Sequence, residues 1–357
     1  MSVAITAALP RARRRVALLP LGVALLAAAM LAGVLLGPAH VSAAGLWATI
    51  LDALGIAPLP AEHARDAAVL GVIRAPRVLM AALVGAGLGA AGAAMQGLFR
   101  NPLADPGLIG VSGGAALAAV GAIVLSGSLF GAAAGVMGLW LLPAAAFVGG
   151  LGATALMARL GTVQGVAGVA TLLLAGVAVN ALAGALTGLL VFMADDRQVR
   201  DITFWTLGSL AGSRWAQLPV VAVLVGLPTL ALCALARPLN ALLLGEAEAF
   251  HLGIRVEVVK RVALVLAAVA VAAGVAFTGL IGFVGLVVPH LVRLGFGADH
   301  RLVMPGAALL GGTLLVLADL LARSLAAPAE LPVGVVTALL GAPFFLWLLR
   351  SRAGAAA

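Results

Sequence analysis

The residues of this chain that could do chemistry are few and far apart. Its single lysine, Lys260, is not preceded by the glycines of a G-x-x-x-x-G-K-[ST] loop, so nucleotide hydrolysis by that route is excluded. The five histidines, His40, His63, His251, His290 and His300, are scattered, and no two stand at metal-ligand spacing. The one cysteine, Cys233, lies in an apolar segment and reads as a small buried hydrophobe. Tyrosine is absent, which removes any Tyr-based haem or iron ligand within the chain. No Ser/His/Asp set suggests an intramembrane enzyme. The 13 acidic residues are spread thinly and form no carboxylate relay of the kind a proton-coupled carrier needs.

The elements around these residues belong to a membrane. Of 357 residues, 64% are hydrophobic and 10% charged, with mean hydropathy +1.21. A soluble domain carries about 25% charged residues. Ten apolar segments can be marked, at about 16–38, 77–97, 108–126, 135–158, 168–192, 217–236, 259–277, 280–296, 303–322 and 334–349. The expected fold is therefore an all-α polytopic bundle of about ten transmembrane helices, with residues 1–357 forming one transmembrane domain. The polar stretches 39–76, 194–218 and 238–260 are too short to fold alone. An even number of spans puts both termini on one side. A cytoplasmic placement assigns 14 of the 21 basic residues inside, including the N-terminal run Arg11, Arg13, Arg14 and Arg15, as the positive-inside rule asks. It leaves Arg65, Arg74, Arg77, Arg197, Arg200, Arg214 and Arg323 outside. The basic charge is scattered between spans, which argues against a nucleic-acid partner.

Residues 96–115, QGLFRNPLADPGLIGVSGGA, form a seam between two of these segments. Pro102 and Pro106 prevent one helix from running through it. Broken backbone at membrane depth must be buried in protein or line a watery cavity, so the seam is a candidate gate or path element. Gly85 and Gly89, like Ala90 and Ala94, stand four apart, a spacing that lets helix backbones approach closely. On the inner side, Glu246 to Gly253 reads as a short helix with an acidic first turn, ended by glycine. It suits either a docking helix for a separate motor or a solvated connector.

Seven strings, in order and at suitable spacing from about residue 70 onward, resemble the FecCD family of ATP-binding-cassette importer permeases for iron-siderophores, haem and vitamin B12. They are Ile73-Arg-Ala-Pro-Arg77, Arg100-Asn-Pro-Leu-Ala-Asp-Pro-Gly-Leu-Ile-Gly-Val-Ser112, Leu172-Leu-Leu-Ala-Gly-Val-Ala178, Phe204-Trp-Thr-Leu-Gly-Ser-Leu-Ala-Gly212, Leu243-Leu-Gly-Glu246, Gly282-Phe-Val-Gly-Leu-Val-Val-Pro-His290, and Glu330-Leu-Pro-Val-Gly-Val-Val-Thr337 with Gly341-Ala-Pro343.

The resemblance implies ten helices per subunit, a second copy of this chain, two ATPase subunits that use ATP-Mg, and a periplasmic binding protein, in a bacterial inner membrane. The permease itself is then no enzyme and holds no cofactor or metal. It also implies roles. Arg74, Arg77 and Arg323 would receive carboxylates of the binding protein, where the planar guanidinium pairs bidentately. Gly245, Glu246, Glu248, Ala249, Leu252 and Gly253 would form the coupling segment to the ATPase. Asn101 and Leu103 would lie at the cytoplasmic gate. Gln96 and Asn180 would face the path between two copies, or else hydrogen-bond between helices. The 100–112 string is most similar to haem permeases, which implies haem as cargo, with ferric siderophore and cobalamin as alternatives. A self-contained ion-coupled carrier is the distant alternative, and it lacks a visible ion site.

Overall fold

The computed structural model describes residues 3–129, 138–163 and 166–353, with side chains over 19–125, 138–162 and 167–346. The side chains of the basic run Arg11 to Arg15 lie outside the described ones. The chain is almost wholly helical. In order come α1 (Val3–Leu35), α2 (Ala43–Ala53), α3 (Ala64–Ala68), a π-helical turn at Val69–Arg74, α4 (Ala75–Leu98), α5 (Val111–Leu129), α6 (Leu141–Leu160), α7 (Val169–Phe192) and α8 (Asp196–Leu207). Then follow α9 (Leu218–Val221), α10 (Leu227–Ala234), α11 (Ala236–Leu244), α12 (Glu246–His251), α13 (Val256–Thr278), α14 (Val284–Phe296), α15 (His300–Leu325) and α16 (Val333–Ala353). Between α6 and α7 a two-residue strand β1 (Thr162–Val163) pairs antiparallel with β2 (Val166–Ala167).

Every expected apolar segment has a helical counterpart. Among the described residues six helices are long and apolar enough to cross a membrane: Ala61–Leu98, Gly138–Leu160, Val169–Phe192, Trp215–Ala234, Val256–Thr278 and His300–Leu325. Shorter apolar helices stand at Leu19–Leu35, Val111–Leu125, Val284–Phe296 and Val333–Leu346. Two boundaries differ from expectation. Helix α1 starts at Val3, so the basic run is part of the first helix rather than a tail before it. The segment expected as a span at 280–296 is helical only over its 13 residues from Val284, about 20 Å at 1.5 Å per residue. Gly279 (φ 70°) and Phe283 (φ 68°) hold a non-helical bend ahead of it. That bend is satisfied inside protein, where Thr278 O accepts from Ser209 N at 2.7 Å.

The polar stretches are also more ordered than composition suggests. The 39–76 stretch holds α2, whose N-cap Ser42 hydroxyl accepts from Gly45 N and donates to Asp66. The 194–218 stretch holds the amphipathic α8, closed by an Asp195–Gln198 capping box.

Helix α4 is the centre of the bundle and is buried nearly all round. It packs on α15, α13 and α14 through small residues. A Cβ at Gly85 would stand 2.3 Å from Gly311 O, and one at Gly89 2.1 Å from Ala307 O. The four-residue spacing read from the sequence is thus a helix contact with no room for a side chain.

Candidate functional site

The seam is where α4 breaks. Phe99 ends the helix, Arg100 takes a left-handed conformation (φ 48°), and Asn101 N reaches back to Gln96 O at 3.2 Å. Asn101 Oδ1 accepts from Leu103 N at 2.9 Å, a local turn that leaves both side chains exposed at the tip. From Ala104 onward the seam is buried or half-buried. Asp105 Oδ1 accepts from Gly107 N at 2.7 Å and starts a single 3-10 turn, Pro106–Ile109. Gly110 (φ 84°) then leads into α5. Helix α7 clamps the turn from one side: Asn180 Nδ2 donates to Gly107 O at 3.1 Å, and a Cβ at Gly176 would meet Leu108 O at 2.0 Å. Helix α14 clamps it from the other, with Gly285 under the Pro106 ring.

Of the two readings open for Gln96, the structure shows the hydrogen bond between helices. It is buried, its Nε2 donates to Leu286 O at 3.2 Å, and its Oε1 accepts from Arg293. It ties α4 to α14, because an amide at membrane depth is stabilised by a neighbouring helix. Asn180 likewise bonds backbone, although it is only half-buried. A second polar knot lies beside Gln96. Asn240 Oδ1 accepts from His300 N at 2.8 Å, and its Nδ2 donates to Asp299 at 2.7 Å. Sequence reasoning missed Arg293, Asn240 and His300, since nothing local marks residues that meet only across helices.

The outer arginines differ most from expectation. Arg74, Arg77 and Arg323 were expected to stand outward, and the structure buries them at 3%, 5% and 4% exposure. Arg74 donates to the carbonyls of Val34, Leu35 and Ala39 at the end of α1. Arg77 Nε and Nη2 hold Asp319 at 2.9 and 2.8 Å, and its Nη1 holds Glu330 at 2.9 Å. Arg323 Nε lies 3.8 Å from Asp319, and its Nη2 donates to Gly33 O. The reason is charge balance: Asp319 is fully buried within α15, and a buried carboxylate needs a close, hydrogen-bonded cation. Glu330 is the open edge of the cluster, its side chain 43% exposed. The signal for Asp319 was present in the sequence, as a lone carboxylate inside an apolar run.

The segment expected to couple to an ATPase forms the short helix that its residues suggested. Gly245 (φ 128°) precedes α12, Leu252 caps it, and Gly253 (φ 80°) ends it with its N–H on Phe250 O. Ala249 is fully buried and anchors the turn, while Glu248 is exposed. Phe250 (69%) and Leu252 (63%) stand out with Leu243 and Leu244, an apolar tip on an otherwise polar loop. Glu246 turns inward and binds Lys260 Nζ at 2.6 Å.

Residues 25–351 match the model of the FecCD transport family. The chain is 50% identical over 282 residues to the hemin transport system permease of Yersinia pestis, covering 78% of this chain and 83% of that one. It is 48% identical over 288 residues to the cobalamin import system permease of Halobacterium salinarum, covering 80% and 74%. A solved chain described as a metal-chelate type ABC transporter in an inward-facing conformation superposes with TM-score 0.79 at 33% identity, covering 93% of this chain and 98% of that one. With a helical bundle of membrane-crossing length, a buried broken helix at its centre and no nucleotide-binding loop, the chain belongs to the FecCD transport family and is a multi-pass permease of an ATP-binding-cassette importer.

Proposed function

We propose that this permease moves haem from a periplasmic binding protein to the cytoplasm, as a homodimer driven by two ATPase subunits. The supporting observation for haem is the 50% identity to the hemin permease over most of both chains. The 48% identity to a cobalamin permease favours cobalamin as the second reading. A ferric siderophore belongs to the same chelate class. The chelate is cargo, selected mainly by the binding protein.

In this reading both termini are cytoplasmic and the path runs between two copies. Leu174, Val177, Leu182, Leu186 and Leu189 leave one side of α7 uncovered in the single chain, an apolar wall suited to a flat, hydrophobic chelate. Asn101 and Leu103, exposed at the seam tip, form the inner gate. The Arg74–Arg77–Arg323 cluster receives the binding protein through its open edge at Glu330. The apolar tip of α12 docks on the ATPase.

The deciding experiment is uptake into vesicles holding the permease, its ATPase and its binding protein, offered haem, a ferric siderophore or cobalamin. ATP-dependent haem uptake is expected. Cobalamin uptake without haem uptake would overturn the cargo assignment, and uptake without the ATPase would favour an ion-coupled carrier. Docking through the tip is checked with Phe250→Asp combined with Leu252→Asp. Both side chains are exposed, so stability should hold within about 0.5 kcal/mol. Co-purification of the ATPase should fall; full retention would reject the tip as the docking surface.

A further inference from the structure

The only lysine of the chain sits where three segments meet, and its burial has no explanation in packing alone. Lys260, in the second turn of α13, is 4% exposed. Its Nζ donates to Glu246 Oε2 at 2.6 Å, to Glu257 Oε1 at 3.2 Å and to Ala167 O at 2.9 Å. An ammonium has three donors, and all three are used. Each points to a different place. Glu246 is the first residue of α12, beneath the apolar tip. Glu257 is in the first turn of α13 itself. Ala167 ends β2, two residues before α7 begins. Glu257 completes the node, since its Oε2 accepts from Ala167 N at 3.1 Å. Both backbone groups of Ala167 are therefore held by the Lys260–Glu257 pair.

A merely structural buried cation would serve as well with partners from one or two neighbouring helices. Here the ammonium joins the short coupling helix to the entry of α7, whose open apolar side is the wall of the proposed path. These two segments share no direct hydrogen bond among the described residues; charge-assisted bonds to one ammonium bridge them.

We propose that Lys260 is a positioning residue that transmits displacement of the coupling helix to α7, so that motor movement reaches the path. The proposal rests on the reading of the α12 tip as the ATPase-docking surface.

The test uses the complete importer in proteoliposomes, measuring ATP hydrolysis and substrate uptake separately. Lys260→Met is expected to keep the ATPase bound while uptake per ATP hydrolysed falls about tenfold, the scale of losing a charge-assisted hydrogen bond. Lys260→Arg, which keeps the cation and more than three donors, should restore much of that ratio. Because Lys260→Met leaves two carboxylates without their cation, a second variant adds Glu246→Gln and Glu257→Gln. It removes the stranded charge but not the missing link, so thermal stability should recover while the ratio stays low. Recovery of the ratio together with stability would overturn the proposal and leave Lys260 a structural counter-ion. A normal ratio in Lys260→Met, or loss of ATPase binding at unchanged stability, would overturn it too. The Phe250→Asp, Leu252→Asp permease separates the premise: if that variant retains its ATPase, the docking surface was misplaced, whatever Lys260 does.

Discussion

Arg77→Met is expected to destabilise the folded permease by about 3–5 kcal/mol, the usual cost of removing one partner from a buried ion pair. Asp319 would keep only Arg323, at 3.8 Å and without a hydrogen bond from its Nε, and Glu330 would lose its partner. Unfolding by heat or denaturant in detergent micelles measures the loss; a change under about 1 kcal/mol, the range of an exposed pair, would show the cluster to be dispensable. Adding Asp319→Leu removes the stranded carboxylate but leaves Arg323, also buried, without its nearest counter-ion, so only part of the stability should return. The double variant also tests the proposed docking role. If the cluster receives the binding protein, association should weaken in this variant, because Glu330, the exposed edge of the cluster, loses the guanidinium that holds it. Unchanged association in a pull-down titration would restrict Arg77 to holding the fold.

The second large effect is expected at Gly92. A Cβ there would stand 1.8 Å from Gly285 O, and that oxygen belongs to backbone rather than to a side chain that can swing away. Gly92→Val must therefore separate α4 from α14, at a cost of about 3 kcal/mol or more. The contact lies beside the clamp that Gly285 forms with Pro106, so the seam should loosen as well. The expected result is poor assembly, read as a lost monodisperse peak in size-exclusion chromatography and a lowered unfolding temperature. Gly152→Ala is the control. Its Cβ would meet nothing within 4 Å, and stability should stay within about 0.5 kcal/mol. Equal behaviour of the two variants would contradict the close approach of α4 and α14.

These two sites mark the boundary between what sequence and structure supply. The helices were legible because hydrophobicity and its breaks are local. Arg100, Pro102 and Pro106 broke α4 from α5, Thr278-Gly279 broke α13 from α14, and Gly253 ended α12. Gly85 and Gly89 announced a tight helix contact by their spacing, although not that Gly311 and Ala307 lie across it. The absence of a P-loop followed from one lysine in the wrong context. The family strings and their order were readable for the same reason.

Partners were not legible. Arg77 meets Asp319 across 242 residues and Glu330 across 253, Gln96 meets Arg293 across 197, and Lys260 meets Ala167 across 93. An arginine at the end of an apolar segment has the same local sequence whether it snorkels to the surface, awaits another protein or neutralises a buried carboxylate. Which of these holds depends on where two helices cross and whether water reaches the crossing, and neither is a property of the neighbouring residues. The sequence by itself therefore determined the spans, their breaks and the lack of a motor. Only the tertiary structure decided that Arg74, Arg77 and Arg323 are buried, that Gln96 fastens helices, and that Lys260 joins α12 to the entry of α7. Hydrophobic segmentation is written residue by residue, whereas a buried charge is specified by its counter-ion, and the fold alone brings the two together.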